Sequence, residues 1–193
     1  MKIVGVGCGP GMLTEEAVRV IGSATLIYGS DRAIEIARSH IPAGTTVRTI
    51  DDFKVLDKLP QEAVVLSTGD PMLAGLGYLK CEVIPGISSL QVAAARLHIP
   101  LARIVPVVAH GTGHVQGMND TVDEVQRRKI VFLLTDPKFN TGELFRKLQA
   151  LGIPLKVAVC ENLGYPAERI EVCAVESPPQ VTSGMYSLII GDF

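Results

Sequence analysis

The chain has no tryptophan, only 5% aromatic residues, and four cysteines with no C-x-x-C pair among them. A core with so few large rings must be mostly aliphatic, as buried parallel strands are. The scattered cysteines (Cys8, Cys81, Cys160, Cys173) carry no zinc or redox motif. In a chain of this size without a secretion signal they do not read as a disulfide framework. Three lie in or beside apolar runs and are expected as inert buried thiols. Charge is balanced as well: 18 Lys and Arg against 20 Asp and Glu leave a formal net charge of −2, which argues against a nucleic-acid partner. No apolar run approaches the ~18 residues that suggest a membrane span. Met1-Lys2-Ile3-Val4-Gly5 leads directly into a strand, with no signal-peptide pattern. The expectation is a cytoplasmic protein with no membrane partner.

What is present is 47% apolar residues over 193 positions, ample for one large domain or two smaller ones. Strands are expected at 3–6, 24–28, 46–50, 63–67 and 82–84. Between them come a helix capped by Thr14, one capped by Asp31 and stopped by Pro42, and a short helix over 72–79. After 85, Leu90, Ala93, Ala94 and Leu97 fall at i, i+3, i+4 and i+7 behind Ser88 as N-cap. Alternation of this kind implies an α/β fold with a mostly parallel sheet.

Pro100 and Pro106 interrupt the pattern, which places a domain boundary there: 1–103 and 104–193. Beyond it, Gly111, Gly113 and Gly117 read as a loop, and 119–128 as a polar, exposed helix. A strand over 129–134 follows, then a helix opened by the Asn140/Glu143 capping box and stopped by Gly152. Three further strands, 155–159, 168–172 and 185–190, close the chain, the last two expected antiparallel.

Four glycine-centred signatures each follow an apolar run: Gly7-Cys8-Gly9-Pro10-Gly11, Gly69-Asp70-Pro71, Pro85-Gly86-Ile87-Ser88-Ser89 and Cys160-Glu161-Asn162-Leu163-Gly164-Tyr165-Pro166. Glycine allows the tight turns and close approach that a ligand at a strand end requires. A dinucleotide fingerprint fails on spacing. G-x-G-x-x-G started at Gly5 ends on Pro10, and started at Gly7 it ends on Met12. Pro10 also removes an N–H that a pyrophosphate would use. Asp70 stands where it can meet a ligand or simply cap its own turn. Ser88 and Ser89 open a helix whose free N–H groups suit a carboxylate or adenine edges, with Ser89 the hydroxyl left over for a ligand. His110 and His114 flank Gly111-Thr112-Gly113, so helical metal-pair spacing does not apply, and a binding loop is favoured over a metal site.

The order and wording of these signatures resemble the tetrapyrrole (corrin/porphyrin) methylase family over nearly the whole chain. The last of them resembles its cobalt-precorrin-7 C-5-methyltransferase branch, with Ala167 standing where Asp is usual. The resemblance implies two α/β domains with S-adenosylmethionine (SAM) in the interdomain cleft, distinct from the Rossmann-type methyltransferase fold, and a homodimer. It implies methyl transfer to C-5 of a corrinoid in anaerobic cobalamin synthesis, with no protein-bound metal and with a separate decarboxylating C-15-methyltransferase as functional partner. The residues it points to for SAM are Gly9, Pro10, Gly69, Asp70, Leu73, Ser88, Ser89, Leu134 and Thr135. For the corrinoid they are His110, Glu161, Asn162 and Tyr165, with Glu161 as a candidate for assisting proton loss. Other members of the family, diphthine synthases and other precorrin methylases among them, share the early motifs. A non-catalytic SAM or corrinoid binder would carry the same binding residues.

Overall fold

The computed structural model describes residues 1–50, 53–73 and 75–193, with the backbone alone at 53–55. The chain divides into two compact units, Met1–Ser89 and Leu90–Phe193. The division falls earlier than the expected 103/104. The prolines that suggested the later position mark the entry to a strand instead. Pro100 precedes a 3₁₀ turn, Leu101–Arg103, and Pro106 lies within the strand that follows.

The first unit holds β1 (Lys2–Gly5), α1 (Glu15–Gly22), β2 (Leu26–Gly29), α2 (Asp31–Ala37), β3 (Thr46–Thr49), β4 (Val64–Ser67) and β5 (Glu82–Ile84). All strand pairs are parallel, in the order β3-β2-β4-β1-β5. Short local signals set the helices. The Thr14 side chain accepts from the Ala17 N–H at 3.1 Å, and Glu15 and Glu16 occupy the positive end of the α1 dipole. Ser30, not Asp31, caps α2 by accepting from the Ala33 N–H at 3.3 Å. Asp31 is the first helical residue, and its carboxylate takes the Thr49 hydroxyl at 3.1 Å. The helix expected over 72–79 is a run of turns in its described residues, where Gly75 has a left-handed φ of 89°. Ile3, Val65, Leu56, Leu76 and Leu79 form an aliphatic cluster in this unit.

The second unit opens with most of α3 (Ser89–Arg96) and continues through β6 (Ile104–Ala109), α4 (His114–Gln126), β7 (Ile130–Thr135), α5 (Thr141–Gln149), β8 (Lys156–Glu161), β9 (Arg169–Ala174) and β10 (Tyr186–Gly191). Its sheet runs β6-β7-β10-β8-β9 and is mixed. β6 and β7 are parallel, and β10 is antiparallel to both β7 and β8. β9 and β10 are not antiparallel as expected: each pairs antiparallel with β8, which lies between them, so the two run in the same direction. Pro106 lies in an edge strand, the position in a sheet that accommodates proline.

The helix expected at 119–128 begins earlier, at His114, and is not exposed all round: Gly117, Met118, Thr121 and Val125 are buried. Gly117 is helical rather than part of a loop. A Cβ there would stand 2.5 Å from the Ala109 Cβ, so this glycine serves close helix–strand packing. Val131, Leu133, Val157, Val159, Leu188 and Ile190 from the sheet pack with Leu144, Phe145 and Leu148 of α5 into the main core. The capping box at Asn140 is present, its Oδ1 accepting from the Glu143 N–H at 2.9 Å.

Candidate functional site

In the first unit the three glycine signatures converge at the C-terminal ends of the adjacent strands β4, β1 and β5, the edge of a parallel sheet where ligand sites gather. They meet backbone to backbone. Gly7 and Gly69 form an antiparallel bridge, with the Gly69 N–H donating to the Gly7 carbonyl at 2.8 Å. The Cys8 N–H donates to the Ile87 carbonyl at 2.9 Å. A Cβ at Gly86 would lie 2.2 Å from the Gly69 oxygen, and one at Gly5 would lie 2.6 Å from the Gly86 nitrogen. The glycines at 5 and 86 therefore exist so that the chain segments can touch, whereas at Gly69, where a Cβ would meet nothing nearer than 3.8 Å, the left-handed φ of 71° is what favours glycine. Gly5 was not singled out by the sequence reading, although it precedes Gly7 in the same run.

Asp70 ties this rim together. Its Oδ1 accepts from the Met72 N–H at 2.8 Å and from Leu73 at 3.4 Å, and its Oδ2 accepts from the Gly86 N–H at 3.0 Å. The carboxylate expected to face a ligand is thus shared among backbone donors, and Asp70 is a positioning residue. Gly9 is buried in the same turn and Pro10 is exposed. Ser88 is buried, and Ser89 begins α3 half-buried, its hydroxyl making no hydrogen bond among the described residues. Gly9, Gly69, Asp70, Leu73, Ser88 and Ser89 are brought to one rim.

In the second unit, β6, β7 and β8 run in the same direction, so their C-terminal ends share one edge of the sheet. Ala109, which precedes His110, pairs with Thr135. Leu134 is half-buried and Thr135 buried at the end of β7. Ser187, in register with Leu134, buries its hydroxyl without a hydrogen-bond partner among the described residues. His110 is exposed and its ring takes no hydrogen bond or ion pair among the described residues, whereas His114 heads α4 with Nε2 at 2.8 Å from Asp136 Oδ2. The two histidines do not form a pair, and among the described residues no group of three or more His, Cys, Asp and Glu is arranged to hold a metal.

The Cys160–Pro166 signature ends β8. Glu161 is 1% exposed and is an anchor rather than a base. One oxygen, Oε1, accepts from the Ser183 N–H at 2.8 Å and from the Thr182 N–H. The other accepts from the Thr182 hydroxyl and from Arg169 Nη1, both at 2.9 Å. Burial works against the charge, but these donors outweigh it and hold the carboxyl at about 2. A saturated carboxylate of that acidity neither takes a proton near neutrality nor reaches a ligand, which corrects both roles expected for Glu161.

Asn162 is engaged as well. It adopts a left-handed φ of 50°, which asparagine tolerates. It donates from Nδ2 to the Ala167 carbonyl at 3.3 Å and accepts the Ser183 hydroxyl at 3.0 Å. Ala167 is exposed. Glu168 Oε2 accepts from the Gly164 N–H at 2.8 Å while Arg96 Nε holds Oε1 at 2.6 Å, so the turn around Leu163 is fixed from both sides. Tyr165 is half-buried on this turn. Cys160 is fully buried and burial pushes its thiol up to about 12, so it is no nucleophile. Thr182, Ser183 and Asp136 carry no sequence signal of their own; they enter the network through strand pairing and a returning loop.

Parallel-strand ends crowded with glycine, beside an unengaged hydroxyl at a helix start, are the features of a small-ligand site in an α/β fold. The chain belongs to the Tetrapyrrole (Corrin/Porphyrin) Methylases, whose family model matches residues 2–179. It is 30% identical, over 95% of its length and 93% of the relative's, to the probable cobalt-precorrin-7 C(5)-methyltransferase of Methanocaldococcus jannaschii. It is 27% identical over 91% of its length to the precorrin-6Y C(5,15)-methyltransferase [decarboxylating] of Sinorhizobium sp, of which it covers 49%. The crystal structure of cobalamin biosynthesis precorrin-6Y methylase from Archaeoglobus fulgidus superposes with a TM-score of 0.77 at 28% identity, covering 100% of this chain and 97% of that one.

Proposed function

We propose that this chain is a SAM-dependent C-methyltransferase acting on C-5 of cobalt-precorrin-7 in anaerobic cobalamin biosynthesis. The observation that carries the reading is the convergence of three glycine signatures on one strand-end rim beside the unengaged Ser89 hydroxyl. The acceptor and its position are taken from the resemblance of the whole chain to a relative named for that reaction.

SAM supplies a methyl group on a sulfonium, a good leaving group. The Gly9–Pro10 turn and the Gly69, Asp70 and Leu73 segment line its site, and Ser89 with the first N–H groups of α3 binds its polar end. Leu134 offers apolar surface, and Thr135 its backbone, to the adenine. His110 and Tyr165 face the macrocycle. The acceptor carbon is conjugated to ring nitrogens and brings its own nucleophilicity. The protein's contribution is then alignment of carbon, methyl and sulfur at about 3–3.5 Å with water excluded. Cobalt arrives with the substrate. The decarboxylating C-15 step is assigned to a C-15-methyltransferase as functional partner, in line with a relative whose name joins the two steps. A homodimer in the cytoplasm completes the reading. Among the described residues no helix is long and apolar enough to cross a membrane.

Calorimetric titration with SAM and its demethylated product, beside NADH and ATP, tests the first half. Micromolar binding of the SAM pair alone is expected. Single turnover of cobalt-precorrin-7 with ¹³C-methyl-labelled SAM tests the second half, by the NMR position of the label. Label at another ring carbon, or transfer to a protein acceptor only, overturns the C-5 assignment while leaving the methylase class intact.

A further inference from the structure

His110 is exposed and unengaged, so the backbone on either side decides where its ring stands. On one side Ala109 is fixed by pairing with β7. On the other the chain turns through Gly111, with a left-handed φ of 64°, into a 3₁₀ turn and then α4. Neither helical start has a side-chain cap of its own: His110 and Gly113 occupy the cap positions and make no capping bond. Such a start leaves N–H groups without partners and a positive dipole end uncompensated.

Asp136, from the end of β7, supplies what is missing. Its Oδ2 accepts from the Gly111 N–H at 2.8 Å and faces His114 Nε2 at 2.8 Å, while Oδ1 accepts from the Lys138 N–H at 2.8 Å. A carboxylate only accepts, so Nε2 carries the proton toward it. These donors and the His114 ring outweigh burial and hold Asp136 well below the usual carboxylate range. The His114 ring is itself set edge-on against buried Phe139, with ring centres 5.7 Å apart, and the Phe139 N–H donates back to the Asp136 carbonyl at 3.0 Å. The Tyr186 hydroxyl donates to that carbonyl from β10 at 3.3 Å.

We propose that Asp136 and His114 are the positioning residues of the His110–Gly111 loop, Asp136 acting as a cap borrowed from β7 and His114 as the clamp that fixes its carboxylate. The functional consequence rests on the reading above that His110 meets the corrinoid. A loop held in its bound form before the substrate arrives does not have to be ordered on binding, and that saving appears in substrate affinity. SAM-side residues at the first unit's rim take no part in it.

The test compares His114→Ala, His114→Gln and Asp136→Asn in the full chain, by backbone amide exchange, by corrinoid KM and kcat, and by SAM titration. His114→Ala is expected to speed exchange at 111–113 and raise corrinoid KM, each by about tenfold, the scale of one lost charge-assisted hydrogen bond. The SAM Kd should stay within about twofold, and His114→Gln, which keeps a side-chain N–H donor, should recover most of the loss. Unchanged exchange and unchanged KM in His114→Ala overturn the proposal. So does a rise in KM and SAM Kd together with a fall in Tm that His114→Gln shares, since that marks general destabilisation. If the wild-type protein turns over no corrinoid, the function proposed above fails, and the exchange rates alone still decide whether the pair holds the loop.

Discussion

Asp70 Oδ2 accepts the backbone N–H of Gly86 across the strand-end rim at 3.0 Å, joining two segments that sequence alone presents as separate ligand motifs. With its other oxygen on Met72 and Leu73, the carboxylate holds three donors. Asp70→Ala is therefore expected to cost about 1–3 kcal/mol, the range for leaving partly buried donors unmatched, and to weaken SAM binding through loss of the rim's shape. Urea denaturation beside SAM titration measures both effects.

Ser89 is the contrasting case. Its hydroxyl contributes no bond to the fold among the described residues, so Ser89→Ala should change stability by no more than about 0.5 kcal/mol. SAM affinity should fall about tenfold, as one hydrogen bond to a charged ligand group predicts. Unfolding of Ser89→Ala as deep as that of Asp70→Ala would show that Ser89 is a structural residue and not a ligand contact.

Gly86→Ala places a methyl group 2.2 Å from the Gly69 oxygen and 2.8 Å from the Gly5 Cα, with backbone on both sides and nothing flexible to yield. The loss should reach at least about 2 kcal/mol, the upper part of the range for overpacking. Gly11→Ala is the control: a Cβ there meets nothing within 4 Å. Its cost comes only from the left-handed φ of 76° and should stay near 1 kcal/mol. Denaturant midpoints of the two variants separate crowding from backbone strain.

How far the sequence could be read follows from the range of each signal. Thr14 and Asn140 were legible as caps because cap and partner lie three residues apart, within one turn. The strand-end glycines were legible because glycine's constraint is local, but their reason was not: Gly5, Gly69 and Gly86 meet only after the sheet forms. Pro106 misled because proline breaks a central strand but not an edge, and edge position is a property of the sheet. Neither the pairing of β9 nor that of β10 with β8 is written in alternation alone. Asp136 and His114 are 22 residues apart and meet through the pairing of β6 with β7. Glu161 looked like a chemical group because a carboxylate inside a glycine-rich signature suggests a ligand, and its true partners Thr182 and Ser183 return from a loop with no pattern. Local rules thus located the strand-end turns, and long-range pairing decided which side chains remain available at them.

Glu161 makes the acid limb of stability testable. Its folded value of about 2 lies below the ordinary 4.5, so the ionised form stabilises the native state. The sign follows from linkage: above about 4.5 the contribution is complete in both directions of comparison, and as the pH falls from there toward about 2 the unfolded chain takes up a proton that the native one refuses. Stability is then lost progressively over that window, by on the order of 3 kcal/mol for a shift of this size. Asp136 and Glu168, held low by their own donors, add to the same limb. Glu161→Gln keeps the shape but removes the titration. It should be less stable at pH 7, because Arg169 loses one of its two charged partners and keeps only Glu171, and should lose less on acidification than the wild type does. Urea midpoints from pH 7 down to pH 2 check it. Parallel acid limbs in the two proteins would mean that Glu161 is not held ionised by the 182–183 loop, and would reopen its place as a proton acceptor.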